Sequence, residues 1–173
     1  MSFENNGDTK FGYEADQIDP VKALNLGLIY DAKANDYIRF LCSHEYNTTT
    51  LQLLTRDYNT CSNIIHTSTR DLNYPSFALK ASSPKQHFNG SFRRIVTIGL
   101  PISTYRAIVM APEGLKISVK PNVLSFTSLD ETKTFVLSVD DAMQEAFRSA
   151  SLIWHCGDFK VRSLIVVYDA HAE

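Results

Sequence analysis

The rhythm of apolar and polar residues changes near Asp71. Downstream of it the chain alternates: Leu115, Ile117 and Val119 are separated by Lys116, Ser118 and Lys120, and Phe135, Leu137 and Val139 by Val136 and Ser138. Successive side chains of a strand point to opposite faces, so each run predicts a strand with one buried face. Comparable runs over Ser76–Lys80, Phe92–Ile98, Thr104–Ala111, Val123–Thr127, Arg148–His155 and Val161–Tyr168 predict further strands. Turn signals punctuate them at Ser83-Pro84, Asn89-Gly90, Gly99 to Pro101, Pro112 to Gly114, Pro121-Asn122 and Gly157-Asp158. Many short strands without crossover helices predict a mainly β, antiparallel sandwich over residues 71–170.

Upstream the texture is different. Residues 1–19 are polar, and Leu28, Ile29 and Tyr30 form a short apolar patch after Asn25 to Gly27. Asn35 or Asp36 is placed to cap a helix running through Cys42, on which Tyr37, Phe40 and Leu41 share one face with Ile38 beside them. A second short helix is expected over Thr49–Leu54, weakened by threonines that lose rotamer freedom in helices. A short helical and irregular segment therefore precedes the sandwich.

Composition narrows the function classes. The 173 residues are 44% hydrophobic and 21% charged, ordinary for a globular chain. A formal net charge of -2 supplies no basic footprint for nucleic acid or for an anionic membrane, so neither is expected as a partner. No apolar run approaches the ~18 residues of a membrane span. Met1 to Lys10 lack the apolar stretch of a secretory signal, which predicts a cytosolic chain. The cysteines point the other way. Cys42 and Cys61 close a short loop and can pair in an oxidising compartment, a bond worth about 3 kcal/mol, whereas in the cytosol they would remain ordinary thiols.

The search for chemistry returns little. The chain has no GxSxG elbow, phosphate loop, HExxH or dinucleotide fingerprint, so no catalytic residue and no cofactor is assigned. Ser82 to Lys85 contains an SxxK in a Pro-containing stretch and reads as turn filler. Cys42 with His44 and His155 with Cys156 would make a zinc set only if brought together; their spacing matches no finger, and no metal is assigned. Asn47-Thr48-Thr49 and Asn89-Gly90-Ser91 are N-glycosylation sequons in expected loops, making Asn47 and Asn89 candidate modification sites. Trp154, beside Leu152 and Ile153, reads as a core anchor rather than an exposed sugar-stacking platform.

Ordered motifs add a resemblance. Asp71 to Ser76 (DLNYPS) resembles the opening of the C-terminal fibronectin type III-like domain of plant subtilisin-like proteases. Arg94 to Gly99 (RIVTIG) is similar to that family's RTVTNVG, and Ser103 to Tyr105 to its STY. Pro112 to Val119, Pro121 to Phe126, and Trp154 with Gly157 and Val161 to Ser163 resemble its PxGxxxxV, PxxLxF and WxDGxHxVRSPI. Upstream, Asp19 to Asp31 (DPVKALNLGLIYD) resembles the end of the family's catalytic domain, and Tyr37 to Cys42 (YIRFLC) its YxxFLC helix. The similarity runs from about residue 11 to 168 and is nearest to the cucumisin-like branch.

The resemblance implies a division: 1–31 as the end of a subtilase catalytic domain, 32–70 as a helical linker, and 71–170 as the fibronectin type III-like sandwich. It implies extracellular location and packing on a catalytic domain or a second copy of the chain. Protease activity does not carry over, because the GTSMxxPH serine motif has no counterpart here and a nucleophile without its base cannot transfer an acyl group. Several residues depart from the pattern. Glu14 and Asp16 replace glycines, Leu26 and Leu164 replace prolines, Cys156 replaces an aspartate, and the RIVTIG strand is one residue short. A deletion inside a strand reverses facing unless a bulge or turn absorbs it. Together with the missing signal, these departures fit a truncated gene, a gene-model fragment or a pseudogene product. The expected function is a non-catalytic accessory domain; the alternatives are a piece of a complete secreted endopeptidase and a free-standing adhesion or carbohydrate-binding sandwich. Without a catalytic domain beside them, Tyr30, Tyr37, Phe40 and Leu41 are expected to be partly exposed.

Overall fold

The computed structural model describes residues 27–61, 68–81, 87–99, 102–142 and 147–169. Its elements in chain order are β1 (Leu28–Tyr30), α1 (Ala34–Ser43), α2 (Thr48–Thr55), a 3-10 turn (Thr69–Asp71), β2 (Phe77–Ala81), β3 (His87–Ile98), β4 (Ser103–Met110), β5 (Lys116–Lys120), β6 (Val123–Phe126), β7 (Lys133–Ala142), β8 (Phe147–Cys156) and β9 (Phe159–Asp169). The strands form two sheets, one ordered β1-β3-β7-β5 and the other β2-β9-β8-β4-β6.

The alternation in the sequence becomes the core directly. Phe77 and Leu79 of β2, Phe92 and Val96 of β3, Phe135 and Leu137 of β7, and Leu152 and Trp154 of β8 all lie in one buried cluster between the sheets. Aromatic rings meet edge-on across the gap: Phe135 and Trp154 at 5.1 Å, Phe77 and Phe92 at 5.4 Å between centroids. Such pairs contribute about 1 kcal/mol each beyond the area they bury. Trp154 is fully buried, so the core reading of this residue holds. The hairpin between β8 and β9 pairs Cys156 with Phe159 around a two-residue turn in which Gly157 has φ +55°, a conformation glycine adopts without strain.

Three expectations need correction. Asn89-Gly90 is not a turn. Both residues lie inside β3, which pairs with β7 without interruption from His87↔Ala142 to Val96↔Lys133. Gly90 faces inward, where a Cβ would meet Leu79 Cδ1 at 2.6 Å; the residue that resembles a turn signal is instead what lets β3 close over β2. Second, the sandwich is not wholly antiparallel: β2 and β9 run parallel, Phe77↔Ile165 through Ala81↔Asp169. They are the first and last strands of the 71–170 stretch, so no hairpin imposes an antiparallel pairing on them. Third, α1 begins at Ala34 with Lys33 as its N-cap, and Asp36 sits one turn in, accepting a hydrogen bond from the Lys33 amide at 2.9 Å.

The shortened RIVTIG strand keeps its facing. Phe92, Arg94, Val96 and Ile98 are all buried in step, so the alternation runs unbroken through the strand. Leu28–Tyr30 joins the four-stranded sheet, pairing with Val96 to Ile98 of β3. Leu28 is buried, and the Tyr30 hydroxyl shares a 2.8 Å hydrogen bond with Ser163. A strand from the expected 1–31 segment is thus part of the sheet. Tyr37 is exposed, and Phe40 and Leu41 are half-buried. Asn47 caps α2, its Oδ1 accepting from the Thr50 amide at 2.8 Å, and Arg56 ends the helix in the left-handed region.

Candidate functional site

Two buried polar side chains tie the segment before β2 to the sandwich. Asn73 acts like a piece of extra strand. Its carboxamide Oδ1 accepts from the Ile95 amide at 2.9 Å, while its Nδ2 donates to the carbonyls of Ile95 at 2.7 Å and Asp31 at 3.0 Å. One side chain therefore satisfies both backbone groups of Ile95 where β1 has ended, and draws the chain after β1 onto the same point.

Arg94 sits one residue away and is only 3% exposed. Its guanidinium donates to the carbonyls of Arg70 at 2.8 Å, Arg93 at 3.0 Å and Tyr74 at 3.0 Å, and lies over the rings of Phe77 at 4.9 Å and Phe92 at 5.4 Å. The planar fork fits this cage of carbonyls and ring faces, which an ammonium would not. Burial lowers its pKa to about 10 against the opposing influence of Tyr30 and Asp71. Burial likewise raises the Tyr30 phenol to about 12, although the Ser163 hydrogen bond favours ionisation. The Asp71 to Ser76 motif thus has a physical meaning: it supplies Asn73 and part of the carbonyl cage for Arg94.

The two sheets present unlike outer faces. On the five-stranded sheet, register aligns Ile108 with Ile153, Met110 with Ser151 and Leu164, Ser149 with Val166 and Ala78, and Phe147 with Tyr168 and Lys80. All of these point away from the core. Ile108 is 47% and Met110 53% exposed, and Phe147 and Tyr168 each 37%. The result is an outward apolar band on β4, β8 and β9. Arg106, His155 and Lys160 align at one end of it and Lys80 lies at the other, giving a basic margin. Arg162 crosses the band, its Nε donating to Ser151 Oγ at 3.2 Å. The four-stranded sheet is polar instead: Asn89, Asp140 and Lys116 form one row, and Ser91, Ser138 and Ser118 the next.

The residues singled out in the sequence are dispersed. Cys42 and Cys61 are joined by a disulfide that ties the end of α1 to the chain after α2. Cys42 is therefore not a metal ligand beside His155 and Cys156, which lie at the β8 hairpin, and the described residues contain no cluster of three or more side chains able to hold a metal. Cys156 is a half-buried free thiol. Asn47 is an exposed cap, and Asn89 is an exposed strand residue rather than a loop residue. The SxxK of Ser82 to Lys85 lies outside the described residues. Sequence reasoning missed Asn73, Arg94 and the outward band. The first two were visible only as motif letters. The band had a signal: β4, β8 and β9 carry apolar residues on both faces, whereas a strand with one solvated face alternates cleanly.

Among the described residues no helix is long and apolar enough to cross a membrane. A fibronectin type-III domain family profile matches residues 71–167. Subtilisin-like protease SBT4.10 of Arabidopsis thaliana is 43% identical over 169 residues, covering 95% of this chain and 24% of that protein. Subtilisin-like protease SBT4.11 of the same plant is 43% identical over 165 residues, covering 92% of this chain and 22% of that protein. The chain thus spans about a quarter of the length of these relatives. Among solved structures, a FixG-related protein from Vibrio parahaemolyticus aligns over 49% of this chain and 81% of its own with a TM-score of 0.41 and 10% identity, too distant to carry an argument.

Proposed function

Because this chain belongs to the fibronectin type-III domain family, we propose that it is a non-catalytic accessory module of a plant subtilisin-like protease, seated on the rest of that protease through its outward apolar band. The observation that carries this reading is the band itself, an outward strip on which Ile108 and Met110 are exposed and Ile153, Leu164 and Val166 half-buried, on a sheet that already buries its other face. Strips of this kind mark interaction surfaces. What supports this occupant is that more than three quarters of each similar protease lies outside the matched length. The basic margin of Arg106, Lys160 and Lys80 calls for a partner surface with an apolar centre and acidic edges.

Under this reading the residues before β1 finish the neighbouring catalytic domain, β1 is already a strand of the sandwich, 32–70 form a helical excursion between β1 and β2, and the chain supports the stability of the protease rather than its chemistry. The Cys42–Cys61 disulfide supports an oxidising, extracellular setting.

The test is reconstitution. The chain is co-expressed with the part of the SBT4.10 protease that it does not match, and co-purification and the half-life of thermal inactivation are measured. The native chain is expected to co-purify and lengthen the half-life, and the paired Ile108→Lys and Ile153→Lys variant to do neither. Equal binding by that variant, or self-association of the chain in sedimentation with no binding to the protease, would defeat the proposal. A serine-directed fluorophosphonate probe is expected to leave the chain alone unlabelled; labelling abolished by one serine substitution would show an active site of its own.

A further inference from the structure

We propose that Asn89 carries an N-linked oligosaccharide whose innermost sugars lie in the polar groove of the four-stranded sheet. This inference is independent of what covers the other sheet.

The sequon Asn89-Gly90-Ser91 occupies strand β3 with its alternation intact. Gly90 faces Leu79 in the core, so Asn89 and Ser91 both face outward, and both are exposed. Register then sets Asn89 beside Asp140 and Lys116, and Ser91 beside Ser138 and Ser118. These six residues, with Gly90, Ile117 and Val139, line a shallow open groove of about 460 Å³. Three hydroxyls in a row across three strands offer donors and acceptors at the spacing of adjacent strands, roughly 4.8 Å. Sugar hydroxyls and an N-acetyl carbonyl can replace water along such a row, and the apolar face of a sugar ring can rest on the Ile117 part of the lining. Asp140 Oδ1 is engaged by His87 Nε2 at 2.7 Å.

Asn47 provides the contrast. It too is an exposed sequon asparagine, but it sits at a helix start with its Oδ1 committed to the Thr50 amide. The Cys42–Cys61 disulfide is a separate indication that the chain matures where glycosylation occurs. In the reaction a bond forms between Asn89 Nδ2 and C1 of the reducing-end sugar of a lipid-diphosphate-linked oligosaccharide. The C1–O bond to the diphosphate breaks, the lipid diphosphate leaves with the electron pair, and one amide proton passes to a base of the transferase.

The experiment uses the whole chain behind a secretion signal in a eukaryotic host. The peptide containing Asn89 is weighed before and after peptide-N-glycosidase, which converts a linked asparagine to aspartate. Asn89→Gln and Ser91→Ala are each expected to remove one glycan, with Trp154 fluorescence reporting that the fold persists. Hydrogen exchange in β5 and β7 is then compared with and without the glycan. Removal is expected to speed exchange at least twofold in the native chain, and much less in the paired Ser118→Ala and Ser138→Ala variant, which keeps the sequon. A secreted chain with Asn89 bare, whether or not Asn47 is modified, overturns the site. Exchange that is unchanged by glycan removal overturns the seating.

Discussion

Replacing Asn73 by alanine should loosen the sandwich where its sequence motif begins. The asparagine makes three hydrogen bonds to backbone groups of Ile95 and Asp31, all between 2.7 and 3.0 Å, and it is 9% exposed. A net hydrogen bond contributes about 1 kcal/mol, and a buried backbone group left without a partner costs about 1–3 kcal/mol. The Ile95 amide loses its partner in Asn73→Ala, and the Ile95 carbonyl keeps only the long 3.4 Å hydrogen bond from the Asp31 amide. The expected loss is about 3 kcal/mol. With a urea dependence of about 2 kcal/mol per molar, the unfolding midpoint should fall by roughly 1.5 M. Native-state exchange should show the Ile95 amide losing protection beyond the global change. Asn73→Asp should do no better, because its carboxylate keeps the acceptor but sets negative charge against two carbonyls. A midpoint shift under about 0.5 M, with Ile95 still protected, would refute the claim that this side chain stands in for a strand.

Three further outcomes are expected. The Tyr30 phenol, raised from 10.0 to about 12 in the fold, binds its proton after the unfolded chain has released it; its contribution is therefore complete below pH 10 and is lost as pH rises toward 12. Burial of Arg94 works in the opposite sense at alkaline pH and is coupled to Tyr30, so Tyr30→Phe is expected to lose less stability than the native chain as pH rises from 10.0 toward 12, by at most about 3 kcal/mol. Gly90→Ala should lose about 1–3 kcal/mol through overpacking against Leu79, and the double variant with Leu79→Ala should lose less than the sum of the two single changes in a urea-denaturation cycle. Reducing the Cys42–Cys61 bond should remove about 3 kcal/mol of constraint from the helical segment alone, seen as lost helical circular dichroism with Trp154 emission unchanged.

The strands were legible because their chemistry is local. Lys116 to Lys120 alternate strictly and Phe135 to Val139 with one outward exception at Val136, and each becomes a strand with the expected inner face. The interior was legible in the same way, down to Trp154. Asn89-Gly90 misled because a turn dipeptide is defined by its own backbone freedom, whereas here the absent Cβ serves Leu79 on the other sheet. Asn73 and Arg94 were opaque for a related reason: their partners are carbonyls and amides, which every residue has, so no spacing announces them. The parallel pairing of β2 with β9 joins residues far apart in the chain and follows only from the closed sandwich. The outward band lay in plain view as Ile108, Ile153, Leu164 and Val166, but an apolar residue in a strand does not say which of two faces is buried first.

The two anchor points of the stretch between β1 and β2 also set how the molecule would respond to pulling. Tension arriving through Gly27 meets the three residue pairs of β1 on β3, then the Asn73 clasp, and only afterwards strand β2. The helices α1 and α2 lie between the first and second of these, with Cys42–Cys61 holding part of their length in reserve. Traction at β9 instead shears a long strand held between β2 and β8. The module therefore has a yielding end and a firm end: strain from upstream is taken up by paying out helix and loop, while the sandwich keeps its shape.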